Sequence, residues 1–586
     1  MRKAILAALA SLVVLTMSAC GGGGSPPPPN NPMVTVTPAT ANVQEGSQQQ
    51  FTATVTNTSD TAVTWQVNSV TGGNASVGTI TSAGLYTAPD AIPSPASVTI
   101  TAFITDVPSI SGTAIATITS VQFGLSSLKG NYIFSLSGVD ANGTGFPFYA
   151  VGAITADGNG NITGGEEDLN DVAVGYFNAP LITGTYSLGT DGRGTLNLNV
   201  PGISSTPFQF AFAMQALDNA VLNEIDGTVV AATGNLEVQA PSVAAPAGNY
   251  AFGFSGSGLG CGSVTSAGIF ALNNGNILGP QDLNCGGNII QSQNMSGALS
   301  TTVDPRGRGT GSFSGTSSGS SNLIYYVVSG NRFRFLCPDV ATFFLGSADR
   351  QTQSTFAASD FNGSYVINTS ANTTAGVSYT LIQINASGGN VSSGYYDVND
   401  TGTVGQASLS GAYSLASNGY VNGTWNVNNN TALRFGLYLS SPASGYYVDE
   451  RTSAVGGGNI TAQTGTVTSN SAWAGSYATK QFGYFVSNGG IPPVNASAVS
   501  GQISADGNGV LAGTLDINDP SGILSNQTLQ GSYTVGNTAP GRFTASITTP
   551  NEGTRTYVGY ILDQGRVQLL ETDSNLVSAG NATRQF

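Results

Sequence analysis

A recurring Asp-x-Asn triplet provides the most regularly spaced side chains in this sequence that could do chemistry. Its four occurrences, each around an aliphatic residue, are Asp168 with Asn170, Asp282 with Asn284, Asp397 with Asn399, and Asp516 with Asn518. On a strand, residues two apart share one face, so a carboxylate and an amide would point the same way and could meet a calcium ion. The alternative, which the sequence favours, is that these side chains cap a strand end by bonding nearby backbone amides. We therefore predict no metal site and no cofactor, with these eight residues as weak calcium candidates.

Seven acidic residues near the ends of late strands are the other candidates for chemistry. They are Glu224, Asp226, Asp339, Asp449, Glu450, Glu571 and Asp573. A glycosidase needs a pair of carboxyl groups, roughly 5 to 9 Å apart. Asp339 has no second acidic residue beside it, and acids at loop starts are usually solvated. The sequence favours that second interpretation, and we predict no catalytic residue.

The chain contains no histidine. This excludes a Ser-His-Asp triad, a Cys-His pair, histidine-ligated zinc or copper, and the usual proton shuttle at neutral pH. Carboxylate-only glycosidase chemistry and oxygen-ligated calcium are still compatible with the sequence. The expectation is a protein that is not an enzyme.

The cysteines predict one disulfide. Cys261 and Cys285 lie on either side of the turn Asn273–Asn276, so a hairpin there would bring the two thiols roughly opposite one another. In an oxidising compartment, a Cys261–Cys285 disulfide is the preferred pairing. Cys337 is then left over as a buried thiol.

The first residues predict export. Residues 1–20 have a basic start, an apolar run too short to span a bilayer, and small residues before Cys20, as in a secretory signal. Residues 21–32 are rich in glycine and proline, which suits a tether above a membrane. Met17-Ser18-Ala19-Cys20 resembles the bacterial lipobox, although Met17 stands where that family prefers leucine. The resemblance implies lipidation at Cys20, membrane attachment through the lipid, and an outer-membrane or cell-surface location; an ordinary cleaved signal peptide is the alternative.

Composition limits the partners. The formal net charge is -15, which argues against nucleic acid as a partner because a basic surface is needed there. Charged residues make up only 8% of the chain, whereas 40% of the residues are hydrophobic, so folded cores are expected rather than disorder. A chain of this length should divide into several domains.

Residues 33–120 alternate apolar and polar side chains between turn signals, which predicts a β-sandwich. The runs Val34–Pro38, Gly46–Val55, Val63–Trp65 and Gly84–Pro89 resemble bacterial Ig-like domains of the group 2 type. The resemblance implies that Trp65 packs between two sheets, and that the domain serves as a spacer or adhesive module.

The rest of the chain repeats itself four times, over residues 128–239, 247–351, 361–463 and 473–586. Each copy opens on Gly-x-Tyr and closes on a glycine followed by a terminal glutamine; these glutamines are Gln239, Gln351, Gln463 and Gln585. Period-2 alternation, as in Phe208–Met214, predicts antiparallel β structure of about eight strands per copy. We therefore predict an all-β protein, with closed barrels slightly favoured over sandwiches for the repeats.

The leading functional hypothesis is a non-enzymatic, surface-anchored lipoprotein that acts in adhesion, contact with extracellular glycan or protein, or envelope scaffolding. A second hypothesis is a carrier that holds a small apolar ligand in each barrel. A carboxylate-dependent enzyme acting on polysaccharide is the third.

Overall fold

The computed structural model describes residues 31–585 except 141–145, 217–218, 228, 259, 317–318, 340–341, 429–430, 466, 487–494 and 537. The leader, Cys20 and tether residues 21–30 lie outside the described residues. Within the described ranges, strands account for nearly all regular structure, beside three 3-10 turns at Leu125–Ser127, Ala358–Asp360 and Asn470–Ala472. No helix in this part of the chain is long and apolar enough to cross a membrane.

The N-terminal unit is built from eleven strands in the described sequence. They are β1 (Met33–Thr37), β2 (Thr40–Gln44), β3 (Gln48–Gln50), β4 (Thr52–Thr56), β5 (Val63–Val67), β6 (Val70–Thr71), β7 (Gly73–Asn74), β8 (Gly78–Ile80), β9 (Leu85–Thr87), β10 (Ser97–Ile104) and β11 (Val107–Thr119). They form the sheets β1-β4, β3-β9-β8-β7 and β2-β11-β10-β5-β6. Alternating residues of these strands enclose one core, in which Phe51, Trp65 and Tyr86 are buried.

Barrel 1 and barrel 2 follow. Barrel 1 contains β12 (Lys129–Asp140), β13 (Pro147–Asp157), β14 (Asn161–Asp171), β15 (Gly175–Ala179), β16 (Thr183–Leu188), β17 (Arg193–Asn199), β18 (Phe208–Ala216), β19 (Asn219–Glu224) and β20 (Val229–Val238). Barrel 2 contains β21 (Gly248–Gly258), β22 (Gly262–Asn273), β23 (Asn276–Cys285), β24 (Asn288–Leu299), β25 (Arg308–Thr316), β26 (Gly319–Ser329), β27 (Arg332–Leu336) and β28 (Thr342–Arg350). The two barrels are antiparallel throughout.

Barrels 3 and 4 repeat the same order. Barrel 3 contains β29 (Gly363–Thr373), β30 (Val377–Ser387), β31 (Asn390–Asp400), β32 (Thr403–Leu415), β33 (Tyr420–Val427), β34 (Thr431–Ser441), β35 (Ser444–Asp449) and β36 (Ala454–Gln463). Barrel 4 contains β37 (Ala474–Phe485), β38 (Ala496–Asp506), β39 (Val510–Asp519), β40 (Gly522–Val535), β41 (Arg542–Thr549), β42 (Gly553–Asp563), β43 (Arg566–Glu571) and β44 (Leu576–Arg584). In barrels 2, 3 and 4 each strand pairs with the next, and the last pairs with the first.

Barrel 1 closes by the same pairings with one strand divided. Its fourth strand is split into β15 and β16, which both pair with β14, while β12 pairs with β13 and β20. In the described sequence there are thus four closed eight-stranded barrels. The predicted all-β fold with four antiparallel repeats is confirmed, and the repeats are closed barrels.

Each barrel is filled by its own side chains. The alternation noted along β18 places Phe210, Phe212 and Met214 in the core of barrel 1. Barrel 2 has a core rich in phenylalanine, and Trp425 and Trp473 are buried in the cores of barrels 3 and 4. These interiors are packed cores of the kind that small eight-stranded barrels form.

The four barrels also pack on one another, and they do so as a closed ring. Separate apolar clusters bury residues between barrels 1 and 2, between 2 and 3, and between 3 and 4. Two further clusters, around Ala231 with Ala498 and around Ala213 with Ala478, join barrel 1 to barrel 4. Each barrel therefore contacts two neighbours, although barrels 1 and 4 are the most distant in sequence.

The N-terminal unit docks where the ring closes. Arg584, at the end of β44, forms an ion pair with Asp90 at 2.9 Å and donates a hydrogen bond to the Asp90 carbonyl at 2.6 Å. Glu45 is buried beside the same arginine, and burial raises its pKa. The N-terminal unit, which the chain connects covalently to barrel 1, is thus also held against barrel 4.

Candidate functional site

The four motif asparagines lie on the third strand of their barrels, and each one contacts the next barrel. Asn399 Nδ2 contacts three carbonyl oxygens of barrel 4, those of Glu571 (3.0 Å), Asp573 (3.1 Å) and Leu576 (3.0 Å). The equivalent contacts run from Asn170 to Cys337 and Asp339, from Asn284 to Asp449, Arg451 and Ala454, and from Asn518 to Glu224. Asn518 belongs to barrel 4 and Glu224 to barrel 1, so the series is cyclic.

Bonds from nearby backbone amides are also present in these motifs. The Gly287 and Gly402 amides donate to the side-chain oxygens of Asn284 and Asn399, each at 3.0 Å. The Ser292 amide donates to Asp282 Oδ1 at 2.6 Å. What the sequence did not reveal is that the amide nitrogen of each asparagine reaches another barrel.

Three motif aspartates are paired with an arginine of the next barrel, and we call each such pair an arginine latch. The pairs are Asp168 with Arg308 (2.6 and 2.8 Å), Asp397 with Arg542 (2.7 and 3.0 Å), and Asp516 with Arg193 (2.8 Å). Each arginine is the first residue of its strand, β25, β41 or β17. The tyrosines Tyr326 and Tyr560 add hydroxyl bonds of 2.6 Å to Asp168 and Asp397.

The carboxyl groups of the arginine latches are buried, whereas the arginine side chains are 11 to 22% exposed. Asp168, Asp397 and Asp516 are 0%, 2% and 6% exposed. A buried carboxylate requires a partner charge and hydrogen bonds, which the guanidinium supplies. The bond to Asp168 raises the pKa of Arg308 above its usual range, so the guanidinium stays charged. These three sites already hold a positive charge, and a metal ion would have to displace it.

The terminal glutamines form a second cyclic series. Their Nε2 atoms donate to pairs of carbonyls in the next barrel: Gln239 to Arg306 and Val327, Gln351 to Asn418 and Leu439, Gln463 to Pro540 and Ile561, and Gln585 to Asp191 and Met214. The bonds are between 2.7 and 3.2 Å long. Gln585 contacts barrel 1, so the end of the chain repeats, without a covalent link, the contact made at each covalent junction.

The acidic residues singled out in the sequence have different surroundings. Asp226 and Asp339 accept hydrogen bonds from the backbone amides of Gln209 on β18 and Asn322 on β26, each at 2.9 Å. Asp573 accepts from the hydroxyl of Thr556 at 2.7 Å. Asp449 instead forms an ion pair with Arg451, and Glu450 lies at the contact between barrels 2 and 3. These are contacts that position backbone and neighbouring side chains.

Glu571 is the acidic residue that barrel 4 encloses. It is 1% exposed, accepts from Arg555 at 3.1 Å and from the Ser578 hydroxyl at 2.8 Å. Burial raises the pKa of Glu571 to about 8, against the lowering effect of Arg555. A cavity of about 10 Å³ lies beside it, lined also by Glu552. Because that volume is at the lower limit for one water molecule, Glu571 has no room for a sugar ring.

The interior of barrel 2 has a second small cavity. Its volume is about 20 Å³, and Phe252, Phe270, Phe333 and Met295 are among the residues that line it. A volume of this size admits one water-sized molecule, whereas an apolar carrier site needs roughly 300 Å³ or more.

Cys261 and Cys285 are joined by a disulfide in the structure, with a Cα–Cα distance of 5.4 Å. Cys337 directly follows β27 and is a buried free thiol, and burial raises its pKa to about 12. A thiol with such a pKa is not nucleophilic at neutral pH. Among the described residues, no group of three or more cysteine or acidic side chains is arranged to hold a metal ion.

Comparison with known proteins leaves the chain without a family. No protein-family model and no curated protein matches it. Among solved structures, intact Ap-TbpB (N and C lobes) is 10% identical, with 78% of this chain and 95% of that chain covered and a TM-score of 0.19. Transferrin-binding proteins B from Haemophilus parasuis Hp5, as a point mutant, and from serogroup B Neisseria meningitidis are 10% and 12% identical. They cover 64% of this chain and 85% and 83% of their own chains, each with a TM-score of 0.17. At these TM-scores the similarities carry no argument about function.

The latch arginines are the site residues that the sequence analysis missed. Arg193, Arg308 and Arg542 each follow a glycine at the start of a strand. Aligning the repeats would have shown this position, because in barrels 1, 2 and 4 the arginine lies 25 or 26 residues after the aspartate of the Asp-x-Asn triplet. The pairing itself connects different barrels and has no signal within one repeat.

Proposed function

We propose that this chain is a non-enzymatic lipoprotein of the bacterial cell envelope, exported by its leader and held at a membrane by a lipid on Cys20. The support for anchoring is the Met17–Cys20 sequence and the glycine-proline tether after it. We place it at the outer membrane or the cell surface, where a tether separates the folded part from the bilayer.

We further propose that the folded part acts as a rigid scaffold in surface adhesion, glycan contact or envelope organisation. The observation that carries this proposal is the cyclic closure of the ring by Asn518 and Gln585 on barrel 1. The motif asparagines, three of the motif aspartates and the terminal glutamines join neighbouring barrels, and the barrel interiors are filled. A ring of this kind presents fixed outer surfaces, with the N-terminal unit docked at its closing junction.

The two alternative functions have less support. A carrier of small apolar ligands would need a larger interior than the cavity of about 20 Å³ in barrel 2. A polysaccharide-active enzyme would need two carboxyl groups facing one substrate-sized cleft. Glu571 is instead enclosed with Arg555, and Asp573 accepts a hydrogen bond from the Thr556 hydroxyl on β42.

A Cys20→Ala variant of the full chain tests the anchor. Because the lipid is attached through the cysteine sulfur, the variant is expected in the soluble envelope or culture fraction, while the unchanged protein sediments with membranes. Loss of Cys20 should impair function more than loss of any single motif aspartate. A Cys20→Ala protein that stayed with membranes and worked fully would contradict the proposal. Cys337→Ala is a matched control, because this thiol is buried within the fold.

Binding of the anchored protein to glycans and matrix proteins tests its role. Membrane particles carrying the protein are incubated with a glycan array, and particles from Cys20→Ala cells serve as the control. A specific glycan signal supports glycan contact. Loss of envelope integrity on gene deletion, without any binding signal, supports scaffolding. Turnover of a polysaccharide by the protein would refute the non-enzymatic assignment.

A further inference from the structure

The contact between barrels 2 and 3 departs from the other three. At the position of Arg193, Arg308 and Arg542, barrel 3 has Tyr420, which begins β33 and pairs with Tyr438. The register is the same as that of Arg308 with Tyr326 and of Arg542 with Tyr560. Asp282 of barrel 2 faces this position, so it is the motif aspartate that has no arginine latch.

The same contact also has an additional negative charge. Glu450 follows Asp449, whose carbonyl accepts the Asn284 bond, and the equivalent residues in the other barrels are Ile225, Pro338 and Thr572. Gln291 Nε2 donates to Glu450 Oε2 at 2.5 Å, which holds this carboxyl group at the contact. Each arginine latch has a formal charge of zero, whereas Asp282 with Glu450 has a formal charge of -2.

Three buried oxygen atoms meet here: the Tyr438 and Glu450 side chains both lie within reach of Asp282, yet none of the three atoms has a partner at full hydrogen-bond geometry. They are Asp282 Oδ2, Glu450 Oε1 and Tyr438 Oη. Asp282 and Tyr438 are 0% exposed and Glu450 is 6% exposed. A methyl group built on Gly436 would overlap Asp282 Oδ2 and lie 3.1 Å from Glu450 Oε1, so both carboxyl groups lie over the same backbone atom.

Two adjacent buried carboxylates need a positive charge to compensate them. In the other three contacts, a guanidinium provides it. We propose that Asp282 and Glu450, with the Tyr438 hydroxyl as a neutral ligand, bind a divalent cation, Ca²⁺, at the contact between barrels 2 and 3. Carboxylate and hydroxyl oxygens are ligands of the type that Ca²⁺ prefers, and its charge balances the two carboxylates.

The surrounding charges are compatible with such a site. Tyr420 stands near both carboxyl groups, and Arg434, which is exposed, lowers the pKa of Glu450 only weakly compared with burial and Asp282. Burial, followed by Asp282, raises the pKa of Glu450 to about 8 in the absence of a cation. A proton shared between the two carboxyl groups, which would neutralise one of the two negative charges, is therefore the alternative to a bound cation.

Terbium luminescence distinguishes a bound cation from a shared proton. Tb³⁺ is added to the full mature chain, excited through tyrosine, and then displaced with Ca²⁺; Tyr420 and Tyr438 lie within reach of the proposed ion. We expect terbium luminescence that Ca²⁺ displaces. The Glu450→Gln variant should bind Tb³⁺ at least tenfold more weakly than the unchanged protein. Ca²⁺ should also raise the midpoint of thermal unfolding of the unchanged protein.

Tyr420→Arg is the decisive variant. It recreates the arginine latch of the other barrels, so the protein should fold, as checked by circular dichroism, and lose Ca²⁺-dependent stabilisation. Asp563→Asn, which removes a partly exposed carboxylate of barrel 4 that pairs with Arg566, should bind as the unchanged protein does. Absence of Ca²⁺-displaceable luminescence, or luminescence unaffected by both Tyr420→Arg and Glu450→Gln, would overturn the proposal in favour of a shared proton.

Discussion

Asn399 joins two barrels through backbone atoms of its partner, so its contribution does not depend on the charge of any neighbouring side chain. Its Nδ2 contacts three carbonyl oxygens at 3.0 to 3.1 Å, and its Oδ1 accepts from Gly402. An amide is the side chain that can donate in one direction and accept in the other at this position.

Asn399→Ala should therefore lower the free energy of unfolding by about 2 kcal/mol, because it leaves buried carbonyls without a donor. Asn399→Asp should be worse, since it places a carboxylate against those carbonyl oxygens. Urea unfolding followed by tyrosine fluorescence measures both. Asn390→Ala is the matched control, because Asn390 is exposed on the same strand; an equal loss in the control would contradict the assignment.

Glu571 should make the protein less stable as pH rises. Its pKa is raised to about 8 in the folded state from an ordinary value of 4.5, so the folded state binds the proton more tightly. The stability that this provides is fully present below about pH 4.5 and is lost as pH rises through about 8, by at most about 1.4 kcal/mol per pH unit. Glu571→Gln, which stays neutral, should flatten this dependence between pH 5 and 8.

The measurement is the midpoint of urea unfolding at several pH values, taken as the difference between variant and unchanged protein. That difference should favour Glu571→Gln increasingly towards pH 8. Asp106→Asn removes an exposed carboxylate of the N-terminal unit and should leave the slope unaltered. A difference that stays constant between pH 5 and 8 would mean that Glu571 is ionised throughout the folded state.

Residue types and spacing indicated which side chains matter but not what they contact. The Asp-x-Asn triplets were visible because they recur, and the local amide bonds to Asn284 and Asn399 follow from turn geometry. The contact from Asn518 to Glu224 crosses from the last barrel to the first. Nothing in either sequence segment specifies the other, because hydrogen bonding depends on the packing of whole barrels.

Strands at the contacts between barrels have two buried faces. Along β18, Phe210 and Phe212 face the core of barrel 1, while Ala213 on the other face packs against Ala478 of barrel 4. Large residues fill the barrel and small ones allow the neighbouring barrel to approach.

Arg542→Met tests the element-level role of a latch. It should cost about 3 to 5 kcal/mol, because it leaves Asp397 buried without its positive partner. The double variant Asp397→Asn with Arg542→Gln should recover most of that loss, since both charges are removed. The free energy of unfolding by urea measures each variant.

Arg566→Met provides the comparison. Arg566 forms an ion pair with Asp563 and its side chain is 49% exposed, so its removal should cost less than about 1 kcal/mol. If Arg542→Met cost no more than Arg566→Met, the latch would be an incidental contact. If the double variant were as unstable as Arg542→Met, the loss would come from packing of the arginine stem rather than from Asp397.

The elements themselves were largely predictable. Period-2 alternation indicated the strands, and the recurrence of Gly-x-Tyr indicated four copies. Neither the division of one strand into β15 and β16 nor the closed ring of barrels was predictable from the sequence. Ala211 and Ala213 alternate with the core residues of β18, which is equally typical of a solvent-facing side and of a side covered by a second domain.

The molecule as a whole is a ring with one junction that has no covalent link. At the other three junctions, the terminal glutamine is followed after three or four residues by an apolar side chain that enters the next barrel, and these are Val243, Phe356 and Val467. In barrel 1 the equivalent apolar residue is Phe123. The position of the terminal glutamine is taken there by Gln585, which is not connected to Phe123 along the chain. A methyl group on Gly192 would lie 2.6 Å from Gln585 Nε2 and 2.8 Å from the Phe123 ring, so the two residues are adjacent.

The ring should therefore tolerate circular permutation. The permuted chain runs from Ser242 to Gln585, then through three added glycine and serine residues to Gln122 and on to Pro241. It keeps every non-covalent contact between barrels and moves the chain break to the exposed connection between Pro241 and Ser242. We expect its radius of gyration by small-angle scattering to equal that of residues 122–585 in natural order, and its thermal midpoint to lie within a few degrees. A larger radius, or unfolding in separate steps where the natural order unfolds in one, would mean that barrels 1 and 4 do not form the closing contact in solution.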